Sequence, residues 1–90
     1  MRKFIIERNI PGIGKLSPEE LSGGAKKSNE ALAALQPHVK WLHSYITDDH
    51  TFCVYLATGE DVIRKHAELS GFPANRIIEV GRTLEPSDGK

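Results

Sequence analysis

Ninety residues suffice for one small domain, whose folding withdraws roughly 60–65% of the unfolded surface from water, so a single thin core is expected. Twelve basic and twelve acidic residues cancel, leaving no basic footprint of the kind that neutralises a phosphate backbone, which argues against a nucleic-acid partner. The first apolar run, Phe4 to Ile6, is cut off by Glu7 and Arg8, too short for a signal-peptide core or a membrane span. Cys53 has no partner for an internal disulfide. A cytoplasmic protein with no membrane contact is the expectation.

KFIIER reads as a short apolar strand, and NIPGIGKL carries the Pro and Gly of a loop. Ser17-Pro18-Glu19-Glu20 then fits a capping box, with Ser17 as N-cap, Pro18 at N1 and Glu20 at N3. Leu21, Ala25, Ser28, Leu32 and Leu35 follow at helical spacing until Pro37. Gly23-Gly24 costs this helix roughly 1 kcal/mol per residue relative to alanine, so close packing or a kink is expected there. Trp41 to Ala57 supplies two strands around Thr47-Asp48-Asp49-His50, whose aspartates suit a solvated turn. A second helix spans about Glu60 to Ser70 and ends at Gly71-Phe72-Pro73, and ANRIIEVGRTL makes a last strand. The order β-α-β-β-α-β predicts an α+β, ferredoxin-like sandwich over residues 1–85, two helices on one face of a four-stranded antiparallel sheet, with 86–90 as a flexible tail.

The hairpin register decides which side chains share a face. A two-residue Asp48-Asp49 turn sets His43 opposite Val54 and Tyr45 opposite Phe52, mixing polar and apolar groups. A one-residue shift sets His43 opposite Tyr55 and Tyr45 opposite Cys53, which sends Leu42, Ile46, Phe52, Val54 and Leu56 to the core. The cleaner division favours the second register. With Phe4, Ile6, Ile78 and Val80 also inward, the open face carries Glu7, Trp41, His43, Tyr45, Cys53, Tyr55 and Glu79. So much aromatic surface is expected to be covered by a second copy, making a homodimer.

Three functional readings follow. Imidazole, thiolate and carboxylate on neighbouring strands suit nickel, copper or zinc, with His43 and Cys53 as leading ligands and Glu7 and Tyr55 as further ones. Trp41, Tyr45, Glu79, His50 and His66 form a second tier. His66 also has the simpler option of a hydrogen bond to a carbonyl near Gly71-Phe72-Pro73. The second reading is a cofactor-free enzyme acting on a small organic molecule over the sheet, with His43 as general base and a tyrosine as oxyanion donor. The third is an interaction dimer without ligand, its polar groups satisfying one another. Two apparent motifs fall away. GIGKL meets only two of the four required positions of a phosphate loop, and HTFCVYLA lacks the basic opening of an RNA-binding strand.

FIIERNIPGIGKLSPEEL, WLHSYITDDHTFCVYLA and IRKHAELSGFPANRIIEV together resemble a bacterial family of small proteins of unknown function typified by a nickel-binding protein. The distinctive pieces are E-R-x-I-P-G, H-S-Y-x-T-D-D and H-A-x-x-x-G-F-P-A-N-R-I. The resemblance implies a ferredoxin-like dimer and raises nickel above other divalent metals. The resulting expectation is a nickel-binding homodimer in storage, buffering or sensing rather than an enzyme.

Overall fold

The computed structural model describes residues 1–89. Strands β1 (Arg2–Asn9), β2 (Val39–Ile46), β3 (His50–Ala57) and β4 (Arg76–Val80) form an antiparallel sheet in the order β2-β3-β1-β4. Helices α1 (Pro18–Ala33) and α2 (Glu60–Ser70) lie on one face, completing the ferredoxin-like α+β sandwich. Neither is long and apolar enough to cross a membrane.

Alternation along the two central strands locates the core. Phe4, Ile6 and Arg8 of β1 are buried, as are Thr51, Cys53, Tyr55 and Ala57 of β3. Side chains of opposite phase face away from the helices. Val39 from β2, Leu32 from α1 and Ile63 from α2 close the core.

The predicted capping box is present. Ser17 Oγ accepts from the Glu20 N–H at 3.2 Å, and Glu20 Oε1 accepts from the Ser17 N–H at 3.0 Å. Only Ser28, Ala31 and Leu32 in the second half of α1 are buried, whereas Leu21 and Ala25 stay half-buried above a cavity. In α2, Ile63, His66 and Ser70 face the sheet at three- and four-residue steps. Gly71, at φ 77°, closes the helix by donating to the Ala67 carbonyl at 2.9 Å.

Four expectations need correction. First, the structure adopts the hairpin register rejected above. His43 pairs with Val54 and Tyr45 with Phe52, while Trp41 pairs with Tyr55 because Leu42 is an extra residue at a bulge. Trp41 and Ser44 therefore both turn toward the helices, joined by a Trp41 Nε1–H···Oγ Ser44 bond of 2.9 Å. Second, β4 is reversed. Ile77 pairs with Ile6 on the helix side, whereas Ile78 and Val80 sit on the open face opposite Ile5 and Lys3. Third, close packing does not account for Gly23-Gly24. A methyl at Gly23 would meet nothing within 4 Å, and one at Gly24 only Phe72 Cζ at 3.9 Å.

Fourth, the hairpin turn, exposed as expected, is also a docking point, through the Asp49 side chain and the backbone of both aspartates. Asp49 Oδ1 accepts from the Gly12 N–H at 2.8 Å, the Asp48 carbonyl from Gly14 at 3.0 Å and the Asp49 carbonyl from Ile10 at 2.9 Å. Gly12 has φ 79°, and a Cβ on Gly14 would lie 2.7 Å from the Thr47 carbonyl oxygen. The glycines of PGIGK thus let this loop dock on the hairpin, accounting for a motif with phosphate-loop flavour. The final strand is only Arg76–Val80, shorter than expected. Residues Pro86–Gly89 form an exposed 3-10 turn, and Lys90 of the expected tail lies outside the described residues.

Candidate functional site

The sheet separates the predicted metal ligands. Glu7, His43 and Tyr45 stand on the open face, whereas Trp41, Cys53 and Tyr55 are on the helix side. His43 and Cys53 therefore cannot share an ion within one chain. Cys53 is buried, with Thr51 Oγ1 at 3.6 Å from its Sγ. Glu79, paired with Phe4 on the helix side at the sheet edge, accepts two hydrogen bonds from Arg2 at 2.6 and 3.0 Å. The bonds from Arg2 hold its carboxyl below the usual carboxylate range. It is occupied as a partner rather than free as a ligand.

The open face has its own pattern. Ile5, Val54, Leu56 and Ile78 form an apolar centre, uncovered by either helix. At one end Phe52 lies between Glu7 on β1 and Tyr45 on β2, and stacks on His50 with ring centroids 6.3 Å apart. His43 meets Tyr45 edge-on at 5.1 Å. His50 and His43 thus flank Phe52 and Tyr45, but no three His, Cys, Asp or Glu side chains among the described residues converge closely enough to hold a metal ion. The donors of one chain do not fit a nickel site by themselves.

On the other side of the sheet, the first half of α1 stands off β1, β2 and β3 and leaves a largely apolar cavity of about 800 Å³. Its walls combine Leu21, Trp41 and Phe72 with Arg8, Ser28 and Tyr55. Arg8 escaped the sequence reading, although its phase betrayed it: with Phe4 and Ile6 inward, residue 8 on the same strand must also be inward. It is 2% exposed. Its Nη1 donates to the Pro73 carbonyl at 2.7 Å, its guanidinium lies over the Phe72 ring, and its Nη2 has no partner. The G-F-P-A-N-R segment serves this contact. Asn75 fastens it to β1, donating its N–H to the Glu7 carbonyl at 3.0 Å and accepting from the Asn9 N–H at 2.7 Å.

His66 projects from α2 and is fully buried, with Nε2 3.1 Å from Ser28 Oγ of α1 and its ring against Tyr55. Its partner is on α1, not in the loop after α2. Burial first, and the Arg8 charge second, lower its pKa to about 4. Burial likewise raises the Tyr55 phenol, with the Arg8 charge pulling partly the other way. Ser28 and His66 therefore have the spacing of a nucleophile and base, but an imidazole this reluctant to accept a proton is a poor base at neutral pH. His43, the residue expected to act as general base, lies with Tyr45 on the open face away from the cavity, whereas Tyr55, the other tyrosine open to the oxyanion role, lines the cavity.

Over residues 4–80 the chain matches the family described as nickel responsive protein SCO4226-like. Among solved structures it is similar to SCO4226 from Streptomyces coelicolor A3(2), with a TM-score of 0.74 at 15% identity. The match covers 91% of this chain and 99% of that one, and at this identity it speaks to the fold alone. No curated protein matches the chain in sequence.

Proposed function

We propose, from the premise that the chain belongs to the SCO4226-like family of nickel responsive proteins, that it works as a cytoplasmic homodimer which binds nickel where two open sheet faces meet. Storage, buffering or sensing of the metal is the role that follows. The observation that carries this reading is the distribution of His43, His50 and Glu7 around Phe52 on an uncovered apolar face. One copy offers too few convergent donors, whereas a two-fold axis through that face doubles every donor. Imidazole nitrogens suit nickel, and carboxylate oxygens can complete the set.

Native mass spectrometry of untagged protein tests it, with nickel and zinc compared at one equivalent per chain. The expected result is a dimer that takes up nickel stoichiometrically and loses it in a His43→Ala/His50→Ala variant. Cys53→Ala should leave uptake unchanged, because Cys53 faces the helices. Coordination needs deprotonated imidazole, so uptake should weaken on acidification. Equal nickel binding by the wild type and the double variant would sink the assignment.

A further inference from the structure

We infer that the cavity beneath α1 is a binding site for a small amphipathic carboxylate, its head paired with Arg8 and its apolar body lying against Leu21, Trp41 and Phe72. The first observation is the unfinished state of Arg8. A side chain 2% exposed carries a fixed positive charge, spends Nη1 on the Pro73 carbonyl and leaves Nη2 without a partner. None of the described ion pairs includes it. Leaving a guanidinium buried without a counter-charge is costly, and none of the described residues supplies the anion that would relieve that cost. The one acidic residue on the cavity wall, Glu20, is held in the capping box of α1.

The second observation is the shape and character of the space. About 800 Å³ lies within the range of small-molecule sites, and its walls are mostly apolar with a few polar groups among them. An inorganic anion would satisfy Arg8 and leave those walls wet. A hydrocarbon would fill the space and leave Nη2 unpaired. A molecule with one carboxylate and an apolar body answers both demands. The neighbouring titratable groups are compatible with an anion. His66 is held neutral by its burial, which leaves Arg8 as the charge that would pair with the head group, and Tyr55 on the same wall keeps its proton as a second donor. Ser28 and Ser44 bring further hydroxyls, and Cys53 completes the floor. The site is on the opposite side of the sheet from the proposed nickel donors, so the two readings stand or fall separately.

Trp41, the only tryptophan, lines the cavity and provides the readout. Metal-free protein is titrated with octanoate, octan-1-ol and inorganic phosphate at neutral pH while Trp41 fluorescence is followed. Octanoate should give a saturable change and bind roughly tenfold or more tightly than octan-1-ol, the worth of one hydrogen bond to a charged group. Arg8→Met should keep octan-1-ol binding and bring the octanoate/octan-1-ol ratio close to one. The proposal is overturned if octanoate gives no saturable response, if octan-1-ol or phosphate matches it in the wild type, or if the preference survives in Arg8→Met. Should that variant fail to fold, the wild-type comparison alone decides.

Discussion

His66 is the residue whose burial has the clearest consequence for stability. Its folded pKa of about 4 lies below the ordinary imidazole value, so the unfolded chain binds a proton between about pH 6.5 and 4 while the native state does not. The stabilisation is fully present above that window and is lost as pH falls through it. On the order of 2 kcal/mol is expected, once screening by water in the adjoining cavity is allowed for. Urea midpoints measured from pH 7.5 to 4.5 should decline in the wild type and decline much less in His66→Asn. Equal slopes would remove His66 as the cause. Glu79 acts in the same direction, because Arg2 holds its carboxyl low, but it contributes at lower pH and is common to both proteins. Gly14 offers a test at the same scale. Its missing Cβ is replaced by backbone atoms of Thr47 and Asp48 at 2.7 and 2.8 Å, which cannot swing aside as a flexible side chain would. Gly14→Ala should therefore lower stability by about 1–3 kcal/mol in the same urea measurement. A neutral result would show that the loop is free to lift off the hairpin.

At the level of elements, sequence patterns were decisive where one physical signal dominated. Ser17 and Glu20 stood three residues apart around Pro18, and both halves of the capping box formed. The extent of α2 from Glu60 to Ser70 and Gly71 as its stop were equally legible. The hairpin was not, because β3 is apolar in both phases. Phe52, Val54 and Leu56 alternate with Cys53, Tyr55 and Ala57, so a clean apolar face could be drawn either way. Bulk points to Phe52, Val54 and Leu56 as the core set, whereas the helix side holds smaller and more polar groups around a cavity. The Leu42 bulge then switched the phase within β2, which period-two reasoning cannot anticipate. Arg8 was missed for a related reason: its strand phase marked it as buried, but its charge suggested surface. In α1, by contrast, the glycine pair has no steric purpose. Gly23→Ala and Gly24→Ala should each stabilise the protein by about 0.5–1 kcal/mol, seen as a raised urea midpoint. A loss of stability in either would reveal a constraint on α1 absent from its present surroundings.

For the whole molecule, the sheet has two unlike sides, and the difference bears on assembly. The helix side is partly filled and keeps a cavity, while the open side presents Ile5, Val54, Leu56 and Ile78 with no element of the described residues above them. A thin core in a 90-residue chain gains from covering that apolar surface, and a second copy brings a matching face. Val54→Glu places a carboxylate near the middle of the patch, pointing away from the core, so the fold should persist while the dimer comes apart. Sedimentation velocity at micromolar concentration should show a dimer for the wild type and a monomer for Val54→Glu, with circular dichroism unchanged. If the metal donors are completed only across the interface, the same variant should also lose nickel although His43, His50 and Glu7 are intact. A folded monomer that binds nickel as tightly as the wild type would separate metal binding from dimerisation and overturn the interfacial site. A variant that remains dimeric would instead place the contact on another surface, because a carboxylate at residue 54 could not be buried against its symmetry mate without a heavy desolvation cost.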